Sequence, residues 1–188
     1  GDNIVILDLV GYDSSITTVN QEAAAKDTSY AASYWPWCMV TDPDSAQRVW
    51  VPASTLLPGV YAATDRTAEA WFAPAGINRG GLGTVVQAER KLTQANRDTL
   101  YQGKVNPIAT FPGRGVVVFG QKTLQTQASA LDRVNVRRLL IALKNYISQV
   151  ADNLVFEQNT AATRNIFLAQ VNPYLESVQQ RQGLYAFK

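Results

Sequence analysis

The chain predicts an α/β fold: a mixed β-sheet flanked by helices, with a β-hairpin and a βαβαβ carboxy-terminal part. Three observations carry this reading: a short apolar run at 4–10, a Pro-Gly turn between two apolar runs at 108–119, and an amphipathic helical pattern over 136–150.

Residues 4–10 are almost continuously apolar and end at Gly11, which predicts a strand buried on both faces inside a sheet. Thr18 with Gln21 has the spacing of a capping box. Val19, Ala23, Tyr30, Ala31 and Tyr34 then recur at helical spacing until Pro36, predicting a helix over 19–34. The segments 37–41 and 48–51 flank the turn-rich 42–47 and predict a second hairpin. Pro52 and Ser54 start a short helix through Leu56, Leu57 and Tyr61.

Residues 65–83 hold Trp71, Phe72 and several glycines without periodicity, which predicts an ordered loop with aromatic anchors. Thr93 caps a short helix that runs to Tyr101 and stops at Gly103. Pro107 then imposes extended chain, and Pro112-Gly113-Arg114-Gly115 turns 108–111 back onto 116–119.

Val136, Leu139, Leu140, Leu143, Ile147 and Val150 line one face of the next helix. Residues 154–157 read as a brief strand. Asn159 then caps a helix with the face Ile166, Phe167, Val171, Tyr174, Leu175 and Val178, bent at Pro173. Gly183 closes it, and 184–187 begin a strand. This β-α-β-α-β order implies right-handed parallel crossovers.

At 188 residues the chain can bury one core, and residues 1–188 read as a single domain. No apolar run reaches the roughly 18 residues that suggest a membrane span, so no membrane insertion is expected. The amino terminus lacks Met and a basic segment, so the expectation is a processed or trimmed fragment. A net charge of +2 without a basic stripe argues against direct nucleic-acid binding. One cysteine, Cys38, permits neither an internal disulfide nor a Cys cluster. The absence of histidine removes the usual general base and the commonest transition-metal ligand. The expectation is no enzyme, with no catalytic, cofactor-binding or metal residues.

Several groupings allow two readings. Residues 78–83 could form a backbone nest for an anion or a structural turn; they lack the ending of a phosphate loop. Asp42, Asp44 and Asp65 could surround a cation, yet Asp42-Pro43-Asp44 fits turn chemistry without one. Tyr34, Trp35, Trp37, Trp50, Trp71 and Phe72 could stack sugars or form a packed cluster. Arg133, Arg137 and Arg138 sit at the start of the strongest helix, where cations oppose the helix dipole. They are either a solvated face or a candidate interface to a neighbouring subunit or tube.

Beyond these readings, a series of motifs resembles the tail sheath proteins of contractile phages, in the order of that family. They are Tyr34-Trp35-Pro36-Trp37, Trp50-Val-Pro-Ala-Ser54, Gly59-Val-Tyr-Ala-Ala-Thr-Asp65, the segments 71–80, 92–98 and 106–120, Val134-Asn-Val-Arg-Arg-Leu139, and Gly183-Leu-Tyr-Ala-Phe-Lys188. The resemblance implies a structural subunit that polymerises around a tail tube and contracts to drive the tube through the host envelope. It implies as partners other sheath subunits, the tail tube protein, and baseplate and tail terminator proteins, with no cofactor. The location implied is the virion tail, with host cytoplasm during assembly. In that family, arms flanking the core add strands to neighbouring subunits. Such arms are missing here, so this chain is expected to be monomeric or weakly associating. A phage-derived bacteriocin or injection-system sheath fits the same motifs. The competing classes are a carbohydrate- or envelope-binding module on the aromatic segment 34–72 and a carboxylate-based hydrolase or Mg²⁺ enzyme.

Overall fold

A computed structural model of the chain describes residues 2–187. Two compact units are distinguished, one spanning 3–137 and the other spanning 138–187 with Asp2.

The first unit is organised around a four-stranded mixed sheet in the order β1 (Val5–Leu7), β2 (Ala31–Trp35), β6 (Val105–Phe111) and β7 (Gly115–Val118). Its central strand β2 is buried at every residue and pairs in parallel with β1 and β6. Alternation of side chains along β2 separates two cores. Ala32 and Tyr34 join Leu57, Val60, Ile108 and Val118 on one face, while Ala31 and Trp35 join Val19, Leu100, Val105 and Leu124 on the other. The second core is closed by α1 (Ile16–Ala24) and α3 (Gln94–Gln102). The first contains α2 (Leu57–Thr67), which follows a short 3-10 turn at Ala53–Thr55.

Two sequence expectations change here. The predicted helix over 19–34 ends at Ala24, and its second half is the strand β2. A strand covered on both faces loses the period-two alternation that would mark it. The α1 cap is Ser15, whose hydroxyl accepts the Thr18 N–H at 3.1 Å, rather than Thr18. The apolar run at 4–10 forms only a three-residue edge strand, with Val5 half exposed, so the doubly buried position belongs to β2.

The predicted hairpins form. β3 (Cys38–Thr41) and β4 (Arg48–Val51) pair antiparallel. A strand not expected from sequence, β5 (Val85–Ala88), completes a sheet in the order β4-β3-β5. β6 and β7 (Gly115–Val118) pair across the Pro112-Gly113 turn, with positive φ at Gly113 and Gly115.

Asn106, fully buried in β6, locks three segments together. Its Nδ2 donates to the Ser33 carbonyl at 3.0 Å and the Lys122 carbonyl at 2.8 Å, and its Oδ1 accepts the Lys122 N–H at 2.6 Å. A buried amide that satisfies three backbone groups specifies where the chain passes after β7.

The helix α4 spans Val134–Asp152. In the second unit, α4 residues meet α5 (Ala161–Gln180) through a Tyr146–Tyr174 ring stack at 3.8 Å. Leu143, Val150, Val171 and Val178 are buried, whereas Ile166, placed on the apolar face by its spacing, is about half exposed. Thr160, not Asn159, caps α5 by accepting the Thr163 N–H at 3.2 Å, and the helix is continuous through Pro173. The strands expected at 154–157 and 184–187 do not form; these residues are turns and irregular chain. The carboxy-terminal part is therefore helical, and the βαβαβ expectation is corrected. Residues 154–157 are closed as a turn by hydrogen bonds from the Leu154 N–H to Ala151 and from the Glu157 N–H to Leu154, and the parallel pairs lie instead at β1-β2 and β2-β6.

Candidate interaction surfaces

Among the described residues, no three of His, Cys, Asp or Glu gather into a metal-holding group. Asp42 works as a turn-former. Its Oδ1 accepts the Asp44 N–H at 3.1 Å and its Oδ2 accepts the Ser45 hydroxyl at 2.5 Å. These bonds, the Ser45 hydroxyl foremost, hold its carboxyl below the usual carboxylate range.

The glycine-rich segment 76–82 covers the outer edge of β7. Gly76 donates to the Val118 carbonyl at 2.8 Å, Val118 donates to Gly80 at 2.7 Å, and Leu82 donates to Val116 at 3.0 Å. A Cβ on Gly80 would lie 2.5 Å from the Val118 carbonyl oxygen, so only glycine allows this approach. The segment serves as an edge cover, which blunts one of the sheet's two exposed edges.

The aromatic segment is divided by burial. Tyr34, Trp35 and Trp71 are core residues, with the Tyr34 and Tyr61 hydroxyls 2.6 Å apart. Tyr12, Trp37 and Trp50 form a separate group, with ring centroids 6.2 Å apart for Tyr12–Trp37 and 5.2 Å for Tyr12–Trp50. The Trp37 indole N–H donates to the Val10 carbonyl at 3.2 Å. Buried rings cannot present a stacking platform, which removes Tyr34, Trp35 and Trp71 from a sugar-binding face on 34–72.

The three arginines singled out by sequence do not share one environment. Arg137 is 8% exposed and Arg138 is 9% exposed. Arg137 donates from Nη2 to the Ser29 hydroxyl, and its guanidinium lies 4.0 Å over the Tyr30 ring. Arg133 keeps 39% of its side-chain surface, pairs with Asp132 at 3.2 Å and donates to the Tyr101 hydroxyl.

Arg133 belongs to a row that sequence spacing did not reveal. Tyr101 carries two cations, Lys122 Nζ at 4.2 Å and the Arg133 guanidinium at 5.7 Å from the ring centroid. Next to it, Arg97 lies 5.3 Å over Phe111 and 5.8 Å over Phe119, which themselves meet edge to face at 5.0 Å. A cleft of about 330 Å³ lies between Gln94, Arg97, Asp98, Tyr101, Pro107 and Phe119. Burial first, and the Arg133 charge second, lower the Lys122 ammonium pKa, opposed by Asp132. The only sequence cue was the i, i+4 pair Arg97–Tyr101 on α3; the other members arrive from β6, β7 and the following segment.

Cys38 is buried in the first core. Burial, then the Glu89 charge, push its thiol up to about 12.

Comparison with known proteins places these features in a family. Residues 8–124 match the phage tail sheath protein central domain, and residues 126–188 match the phage tail sheath C-terminal domain. The tail sheath protein of Vibrio phage KVP40 is 36% identical over 187 residues, covering 97% of this chain and 28% of that protein. That of Enterobacteria phage T4 is 37% identical over 139 residues, covering 74% of this chain and 21% of the relative. The chain thus spans about a quarter of the length of these curated relatives. Among solved structures, the contracted PVC sheath complex of an extracellular contractile injection system superposes with a TM-score of 0.83 at 28% identity, covering 97% of this chain and 50% of that one. The contracted helical sheath of the anti-feeding prophage gives 0.73 at 28% identity, covering 95% and 46%. With both sheath domains matched in series along nearly its whole length, the chain belongs to the phage tail sheath protein family.

Proposed function

We propose that this chain is the core of a structural subunit of a contractile phage tail sheath, polymerising around the tail tube and contracting to drive it through the host envelope. The observation that carries this is the serial match of the central and carboxy-terminal sheath domains over 8–124 and 126–188. Its work is mechanical rather than catalytic. Contraction of such a polymer requires two packings of the same subunits separated by an energy gap, with a connection that survives the change. Strand addition by arms of neighbouring subunits supplies such a connection.

The direct partners in this reading are further sheath subunits, the tail tube, and the baseplate and tail terminator at either end. Assembly takes place in host cytoplasm and the product is part of the virion tail. The phage setting is preferred to an injection-system sheath because identity reaches 36% with a phage relative and 28% with the PVC sheath. Of the three arginines, Arg133 is the one retained at a subunit or tube interface, because Arg137 and Arg138 are buried. Electron microscopy of the protein under assembly conditions tests the proposal. Hollow, striated polymers are expected; dispersed single particles under assembly conditions would overturn it.

A further inference from the structure

A fully exposed phenylalanine and an aromatic cleft with Arg97 in its lining, flanked by Lys122 and Arg133 on the Tyr101 ring, occur in the same chain. Phe156 is 100% exposed and Val155 is 64% exposed, at the turn between α4 and α5. They are flanked by the exposed carboxylates of Asp152 and Glu157. The turn is shaped by its own backbone, with Leu154 donating to Ala151 at 2.9 Å and Glu157 donating to Leu154 at 3.1 Å. It presents one large apolar side chain with an acid beside it.

The cleft on the first unit has the opposite character. Arg97, Lys122 and Arg133 sit on the rings of Phe111, Phe119 and Tyr101, and Phe119 is 43% exposed. The carboxylates facing this row are Asp98, which lines the cleft, and Asp132, which is already paired with Arg133. Three cations against two carboxylates leave a surplus of one positive charge. The loop, counting Asp152 and Glu157 against nearby Arg164, has a surplus of one negative charge.

We propose that the cleft bounded by Arg97, Tyr101 and Phe119 receives the 152–157 turn of a second copy of this chain, with Phe156 against the Phe119 and Tyr101 rings and Glu157 against Arg97 or Lys122. This rests on the sheath reading and adds a subunit contact to it. Apolar burial and charge point to the same occupant: Phe156 would bury its ring against a ring-lined cleft, and Lys122, desolvated by burial and then crowded by Arg133, gains from a carboxylate. Because the turn and the cleft are different patches, the contact is heterologous. Each added copy leaves one turn and one cleft unused, so the contact propagates as a ring or an open helix. A single turn in a cleft buries far less than the roughly 800 Å² per partner of a stable interface, so the pairing is weak in isolation and needs the polymer to accumulate.

Disulfide trapping reads such a weak contact, and the buried Cys38 leaves introduced cysteines as the reactive thiols. A tagged chain carrying Gln94→Cys is mixed with an untagged chain carrying Gln158→Cys under mild oxidation. The expected yield of mixed dimer is about tenfold above a control pair with Asp44→Cys in place of Gln94→Cys, through local concentration. Adding Phe156→Asp or Arg97→Glu returns the yield to the control level, and combining Arg97→Glu with Glu157→Arg restores it. Circular dichroism confirms folding of each variant. A yield equal to the control pair, or one indifferent to Phe156→Asp, overturns the proposal. Striated polymers without trapping discard this contact and keep the sheath reading; trapping without polymers does the reverse.

Discussion

Replacing Asn106 by alanine removes the three hydrogen bonds by which one buried amide joins β2, β6 and the segment after β7. At a net value of about 1 kcal/mol each, the loss is about 3 kcal/mol, more if water cannot reach the abandoned groups. Collapse around the missing amide is limited. A Cβ on the neighbouring Gly120 would already sit 2.9 Å from Asn106 Oδ1, so this backbone is in near-contact with the amide. With a urea m-value of about 2 kcal/mol/M, the midpoint should fall by about 1.5 M. All four tryptophans, at 35, 37, 50 and 71, lie in the first unit, so their fluorescence follows this unit's unfolding alone. Asn106→Asp should be worse at neutral pH. It turns the Nδ2 donor into an acceptor facing the Ser33 and Lys122 carbonyls, which raises the folded-state pKa of the introduced carboxyl. Its deficit relative to the unfolded chain therefore grows as pH rises above about 4 and shrinks below it. A loss under 1 kcal/mol for Asn106→Ala, or equal and pH-independent losses for both variants, would refute this account of the amide as the lock between strands.

Gly80→Ala should cost about 1–3 kcal/mol in the same assay because its Cβ meets backbone atoms of Val118 and Gly76, whereas Gly81→Ala, which meets nothing within 4 Å, should be near neutral. Equal effects at the two positions would contradict the edge-cover geometry. Ser15→Ala should lower stability by about 1 kcal/mol through loss of the α1 cap, and Ser15→Asp should preserve it; Thr18→Ala giving the larger loss would restore the capping-box assignment. The Cys38 thiol should stay unreactive toward an aromatic disulfide reagent at pH 8 until the chain unfolds. Because its pKa is raised from 9.0 to about 12, its contribution is fully present below pH 9 and is lost between 9 and 12. Unfolding should become easier by up to about 1.4 kcal/mol per pH unit in that window, a slope that Cys38→Ala removes.

The elements legible in sequence were those whose signals are local. The Pro112-Gly113 turn, the Thr93 cap and the α4 helix depend on residues a few positions apart, and each forms where expected, although Leu140 of the predicted apolar face is exposed while Arg137 and Arg138 are buried. β2 was misread because its evidence lies outside itself. Ala31–Trp35 becomes a strand through parallel partners at Val5 and Val105, and burial on both faces erases its alternation. The end strands fail for the reverse reason, since 154–157 and 184–187 have strand-like composition but pair with no strand and form turns and irregular chain. Arg133, Arg137 and Arg138 look equivalent on the page of a sequence. Only the fold buries two of them and sets the third on Tyr101 beside Lys122.

Sequence alone determined the family, the poverty in catalytic groups and the turn-and-cap punctuation, because motif order, residue inventory and helix caps are properties of neighbours along the chain. The tertiary structure decided what meets across long separations: Asn106 with Ser33, the glycine segment with β7, and Arg97, Tyr101, Phe119, Lys122 and Arg133 as one row. Packing and charge act through space, so the surfaces a polymerising subunit presents to its neighbours emerge only once the chain has folded.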